Sequence, residues 1–195
     1  FDDADLEVAV EAAIASKFRN GGQTLVCANR ILVQSGVYDA FAAKLADRVA
    51  TMKVGPGTED GVEVGPMINR AAIEKIERHV ADALDKGARI IARSDAVAEG
   101  SQYARPVVLG EATTEMLLAS EETFGPVAPL FRFETEEEAI EIANGTPFGL
   151  SAYFFTENLK RSWRVAEALE FGMIGLNTGL ISTEVAPFGG GEQSG

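Results

Sequence analysis

Cysteine, histidine and tryptophan each occur once in 195 residues, and 17 Lys and Arg are outnumbered by 30 Asp and Glu. A single thiol, Cys27, excludes an internal disulfide framework and suits a reducing compartment. One Cys and one His cannot build a Cys/His zinc site, so metal catalysis by those ligands is not expected. The formal charge of −13 repels phosphate backbones and anionic lipid, and no basic patch offsets it. Neither nucleic acid nor a membrane is an expected partner. No apolar run approaches the roughly 18 residues of a membrane helix. The opening Phe1-Asp2-Asp3-Ala4-Asp5 is acidic, unlike the basic start of a signal peptide or an Arg-rich transit segment. The expectation is a soluble, cytoplasmic protein.

What is present fits one ordinary globular domain over residues 1–195. Apolar residues make up 46% of the chain, with 20 Gly and 7 Pro, which leaves out collagenous and low-complexity classes. A chain of this length buries about 70% of its unfolded surface and needs no covalent staples.

Leu6, Val10, Ile14 and Phe18 recur at helical spacing behind acidic residues that favour a helix N-terminus. Residues 30–33 read as a strand, and Val37, Phe41, Leu45 and Val49 as a second helix. Ile73, Ile76, Val80 and Leu84 mark a third helix, stopped by Lys86-Gly87 and followed at once by a strand over 89–92. Further strands are expected at 107–109, 127–133, 151–155 and 173–176, with helices at 135–143 and 158–169. This alternation predicts an α/β fold, a mainly parallel sheet with helices on both faces. Gly55-Pro56-Gly57 opens a surface loop too short to divide the chain, and neither it nor Gly189-Gly190-Gly191 has the strand-to-helix context of a phosphate-binding turn.

Few residues point to chemistry by spacing alone. His79 reads as a surface or half-buried helix histidine, and Glu136-Glu137-Glu138 as a solvated helix N-terminus. Glu121-Glu122-Thr123-Phe124-Gly125-Pro126, two carboxylates beside an aromatic and a Gly-Pro turn, could form a polar recognition corner. Phe18-Arg19-Asn20-Gly21-Gly22-Gln23 runs from a helix end through glycines and amides towards the only cysteine. Each of these two stretches is open between structural turn and site.

Taken in order, these stretches resemble the aldehyde dehydrogenase superfamily along the whole chain. Residues 18–30 are similar to its nucleophile segment, and Glu121 to Pro126 to its glutamate-phenylalanine nicotinamide motif. Asn144-Gly145-Thr146-Pro147-Phe148-Gly149-Leu150 and the stretch from Asn177-Thr178-Gly179 to Pro187-Phe188-Gly189-Gly190 follow in the family's order. Arg19 and the wording of residues 22–30 resemble the succinate-semialdehyde dehydrogenase subfamily. The resemblance implies NAD or NADP, contacted by Glu122 and Phe124, and a small aldehyde carrying a carboxylate. Arg19 and Ser182 would hold that carboxylate, which a guanidinium grips bidentately, and Phe188 would wall the substrate tunnel.

In the family a cysteine thiolate attacks the aldehyde, hydride passes to the nicotinamide, and water hydrolyses the thioester. The place of that cysteine is taken here by Leu25, which has no nucleophilic atom. Cys27 is the neighbouring cysteine of the motif. In extended backbone it would share Leu25's face about 6–7 Å away, and in a helix it would point nearly opposite, so it is expected to be packed and inert. Gly191-Glu192 also stands where a bulky residue and a lysine are usual, which puts that turn in question. The resemblance further implies that the nucleotide-binding domain, general-base glutamate and oxyanion asparagine lie upstream of Phe1, that an oligomerisation tail follows Gly195, and that the parent enzyme is a homo-oligomer. The expected function is therefore a catalytic domain, inactive as written. The alternative is a non-catalytic binding or self-associating α/β module, monomeric or self-associating according to how its uncovered apolar patches behave.

Overall fold

The computed structural model describes residues 1–98 and 100–194. Helix α1 (Leu6–Lys17) begins where Asp5 accepts hydrogen bonds from the Glu7 and Val8 amides at 3.0 and 3.2 Å, a side-chain cap for donors that have no helical partner. Strand β1 (Ile31–Gln34) leads into α2 (Tyr38–Ala50). Two short strands, β2 (Lys53–Val54) and β3 (Val62–Val64), flank a loop that is exposed over 56–61. Helix α3 (Arg70–Asp85) ends as its sequence predicts: Gly87 takes φ +98°, its amide donates to Leu84 O, and the Ala88 amide donates to Ala83 O. That paired closure satisfies carbonyls the helix leaves open and turns the chain into β4 (Arg89–Arg93).

After β5 (Val107–Ala112) come the one-turn α4 (Leu117–Ser120) and β6 (Val127–Phe133). The main sheet has the order β1-β6-β5-β4, parallel except for the antiparallel edge strand β4. Alternation along β5 and β6 sends Val108, Ala128 and Leu130 to α1 and α2, and Val107, Leu109, Val127 and Phe131 to α3 and α4. Successive side chains of a strand point to opposite faces, so two apolar cores sandwich one sheet. The α/β expectation, with helices on both faces, holds.

The C-terminal third adds α5 (Glu136–Asn144), β7 (Phe148–Gly149), β8 (Ser151–Phe154), α6 (Leu159–Ala168), β9 (Met173–Leu176) and β10 (Gly191–Glu192). Strands β8 and β9 pair in parallel as their own two-stranded sheet, apart from the main one. Gly191 and Glu192 pair antiparallel with Gly149 and Phe148, so the unusual dipeptide closes a short bridge. Arg30 ties this lobe to the main sheet by donating to Ile142 O and Ala143 O at 2.6 and 2.8 Å. Glu136 departs from the solvated reading: its side chain is 14% exposed and is gripped by Arg161 and by both arms of Arg164.

Tyr38, fully buried, crosses from α2 to the sheet: its hydroxyl donates to Leu130 O at 3.3 Å and accepts from the Glu111 amide at 2.9 Å. Removing that oxygen strands a buried donor. Tyr38→Phe should cost about 1–3 kcal/mol with little change in m-value, read by urea unfolding.

Candidate active site

The segment after α1 is shaped by three residues in the left-handed region, Asn20 (φ 52°), Gly21 (φ 65°) and Gly22 (φ 78°). Gly22 must be glycine on steric grounds as well as for its φ, whereas at Gly21 only the flexible tip of Met67 stands in the way. A Cβ on Gly21 would meet Met67 Cε at 2.6 Å, and one on Gly22 would meet Gly125 O at 2.2 Å. The reversal therefore seats residues 20–22 directly against the 121–126 segment. Gln23 fixes its far end, donating to Asn20 O at 3.0 Å and accepting from the Ile68 amide at 2.9 Å.

Residues 24–27 then form a turn closed by the Cys27 amide on Thr24 O at 3.1 Å. This is neither of the two geometries expected for Leu25 and Cys27, a strand or a helix. The turn leaves Leu25 63% exposed and buries Val26. The Cys27 sulfur lies 2.7 Å from Thr24 Oγ1 and 3.8 Å from Arg19 O. Tyr153 braces the turn from β8 by donating to Val26 O at 2.9 Å. Burial, with Cys27 next in weight, pushes its hydroxyl up to about 12 against the pull of Arg19.

Asn29 joins the two candidate motifs. Its amide donates to Leu118 O and Glu121 O at 2.8 and 3.1 Å, and its carbonyl oxygen accepts from the Thr123 amide at 3.0 Å. Glu121 in turn meets Arg78 at 2.9 Å and His79 at 3.1 Å. His79 is not the surface or half-buried residue its sequence context suggests: it is fully buried, with its other ring nitrogen 3.0 Å from Thr123 Oγ1. Burial lowers its proton affinity, opposed by the Glu121 carboxylate.

A cavity of about 700 Å³ brings together Leu25, Cys27, Glu122, Phe148, Tyr153 and Phe188. Position 25, the acidic half of the 121–126 motif and the aromatic of the last glycine-rich segment thus share one space. Phe124, half-buried at φ 54°, adjoins it in the chain. Arg19 is exposed and lies beside a separate small hollow bordered by Phe18, Met52 and Glu63. Ser182 sits exposed in the irregular 177–190 stretch, with no described hydrogen bond to Arg19. The structure gathers Leu25, Cys27, Glu122 and Phe188 around one cavity, whose lining includes neither Arg19 nor Ser182. Among the described residues no cluster of His, Cys, Asp or Glu could hold a metal, and no helix is long and apolar enough to cross a membrane.

One charged group here is invisible to motif reading. Lys17, at the end of α1, is 1% exposed. Burial drives its ammonium down to about 8 from 10.5, while Cys27 and Glu122 pull it back up. A buried cation beside the two cavity-lining motifs is a strongly perturbed group of the kind that concentrates at functional sites. A lysine inside an otherwise apolar helix pattern was the available signal.

The whole chain, residues 1–195, matches the aldehyde dehydrogenase family. It is 56% identical over 195 residues to the mitochondrial succinate-semialdehyde dehydrogenase of Arabidopsis thaliana, and 55% identical to the 3-sulfolactaldehyde dehydrogenase of Pseudomonas putida. All of the chain is covered in both cases, against 37% and 40% of the relatives. The crystal structure of succinate-semialdehyde dehydrogenase from Burkholderia pseudomallei superimposes with a TM-score of 0.96 at 58% identity, covering 99% of this chain and 40% of that one. The chain thus spans about 40% of the length of the proteins it matches.

The Lys17 shift sets a pH dependence. The unfolded lysine keeps its proton to about 10.5 and the folded one releases it near 8, so stability rises between those values and the full cost of the buried charge is carried below pH 8. Lys17→Met should stabilise the fold at pH 7 by roughly 1–3 kcal/mol and abolish the rise between pH 8 and 10.5. Urea midpoints at pH 7 and pH 9.5 measure both effects.

Proposed function

Because this chain belongs to the aldehyde dehydrogenase family, we propose that it is the catalytic lobe of an NAD- or NADP-dependent aldehyde dehydrogenase acting on a small aldehyde with an anionic far end. Succinate semialdehyde is the leading substrate. The observation that carries this reading is the shared cavity of position 25, Glu122 and Phe188, reached through the close approach of Gly22 to Gly125. The names of the two relatives, a succinate-semialdehyde and a 3-sulfolactaldehyde dehydrogenase, describe aldehydes that end in a carboxylate or a sulfonate. A guanidinium recognises either anion by parallel hydrogen bonds.

In this reading Arg19 and Ser182 grip the anion while the aldehyde carbon lies against position 25. Glu122, an exposed carboxylate at the cavity, is an acceptor suited to ribose hydroxyls, and Phe124 offers a flat apolar face to the nicotinamide ring. When bound, the nicotinamide supplies a hydride acceptor. Phe148 and Phe188 narrow the cavity and limit water. The lining fits such a group on the side this chain builds.

The attacking step is where this chain stops. Leu25 carries only hydrocarbon, and Cys27 is turned into a contact with Thr24 and Arg19 O, displaced from the place where attack would begin. A misplacement of about 1 Å can cost a hundredfold in rate. The lobe therefore binds without forming a thioester.

Given succinate semialdehyde with NAD or NADP, the chain as written should show no aldehyde-dependent rise in reduced-nicotinamide absorbance, and robust turnover would overturn the inactivity. Leu25→Cys should gain a thiol that iodoacetamide labels ahead of Cys27, as peptide mapping would show. For specificity, calorimetric titration with succinate should weaken by about 1.5–3 kcal/mol in Arg19→Ala. Equal affinities would remove Arg19 from the anion site.

A further inference from the structure

We propose that His79 is a positioning residue that aims Glu122 at the cavity, and fixes the backbone that carries Phe124, by anchoring the residues on either side of Glu122 to helix α3. The inference rests on the nicotinamide-facing role proposed above for those two side chains, and it adds residues from a helix that lends no side chain to the cavity.

The geometry is that of a bracket. The imidazole uses both nitrogens, Nε2 on the Glu121 carboxylate at 3.1 Å and Nδ1 on the Thr123 hydroxyl at 3.0 Å. Arg78, the preceding residue of α3, holds the same Glu121 oxygen at 2.9 Å. From the opposite side Asn29 takes the backbone of the same two residues, accepting from the Thr123 amide and donating to Glu121 O. Glu121 is extended, at φ −105° and ψ 141°, and in extended chain alternate side chains point to opposite sides. With 121 and 123 fixed towards α3, residue 122 is directed away from it, into the cavity it lines.

The same helix controls the next residues. Ile76, one turn before His79, packs so tightly under Gly125 that a Cβ there would meet its Cδ1 at 2.5 Å. Phe124 is thereby held at φ 54°, a region that aromatic residues seldom occupy. An apolar residue at 79 could fill the volume but would leave the buried Thr123 hydroxyl facing hydrocarbon and Glu121 held by Arg78 alone. A buried polar group with every partner satisfied selects one arrangement where greasy packing tolerates several. The imidazole is a directional element in a place where core packing alone would need none.

Hydrogen exchange on the 195-residue chain tests this directly, comparing His79 with the size-matched His79→Leu and with His79→Gln, whose amide keeps one donor and one acceptor. Losing the bracket should speed exchange of the 121–125 amides roughly tenfold in His79→Leu, the scale of one lost hydrogen bond. The β1 and β6 ladder should stay unchanged, and His79→Gln should recover most of the protection. Acceleration shared by all segments, or none at 121–125, would reduce His79 to ordinary core filling and overturn the proposal. Titration with nicotinamide mononucleotide, followed at the Gly125 amide, addresses the underlying reading separately. A shift that is present in the chain, weakened in His79→Leu and lost in Glu122→Ala supports both claims. No shift in the unmodified chain overturns the nicotinamide role of the motif, and the exchange data still decide whether His79 positions it.

Discussion

The contact on which this structure turns is one backbone pressed against another. Gly22 approaches the carbonyl of Gly125 so closely that a single methyl group would collide at 2.2 Å. Neither segment is held there by its own secondary structure, since residues 20–22 are left-handed and Phe124 is too. The approach depends on what lies outside it. Helix α1 delivers residues 18–22, Asn29 stitches the loop to residues 121 and 123, and α3 supports the second segment from below. The two motifs are about a hundred residues apart in sequence, yet they are coupled as one rigid corner, and the cavity is the space this corner leaves open.

Much of this was legible in order and little in detail. The apolar spacings of 6–18, 37–49 and 73–84 foretold three helices because each buries one stripe, and the alternation in 127–133 foretold a strand with two dressed faces. The Lys86-Gly87 stop appeared with its full paired closure, since glycine is the residue that takes φ near +98° without strain. What local patterns could not carry was partnership across distance. His79 follows Arg78 in sequence and looks at most half-buried, but its two partners come from residues 121 and 123. Glu136 reads as one of three solvent-facing carboxylates until α6 brings Arg161 and Arg164 to it. Strands β8 and β9 have the composition of main-sheet strands, and only their pairing sets them apart.

The family motifs divide along the same line. Their order along the chain identified the fold and the corner. Several of their polar residues turn out to be latches rather than reagents. Asn144 caps the end of α6 by donating to Ala168 O and accepting from the Glu170 amide. Asn177 pairs with both backbone groups of Thr156. An asparagine can satisfy a donor and an acceptor at once, which is what a break between irregular segments requires. Motif membership therefore signals position in the scaffold as readily as contact with a substrate.

Lys17 raises the opposite question, why a charge should be buried where a hydrocarbon would be more stable. In a chain with 13 excess negative charges, long-range attraction favours a cation anywhere, but that effect is weak across solvent and does not require burial. The local surroundings are more telling: the ammonium lies within electrostatic reach of Cys27 and Glu122, one from each side of the corner. A fixed positive charge there opposes the spread of two acidic groups and favours any negative charge that develops between them. Leu25 carries only hydrocarbon, and the desolvation cost of the cation is borne all the same. A buried charge within electrostatic reach of both motifs, kept at the cost of its desolvation, is the strongest physical reason for reading this corner as a built site rather than as incidental packing.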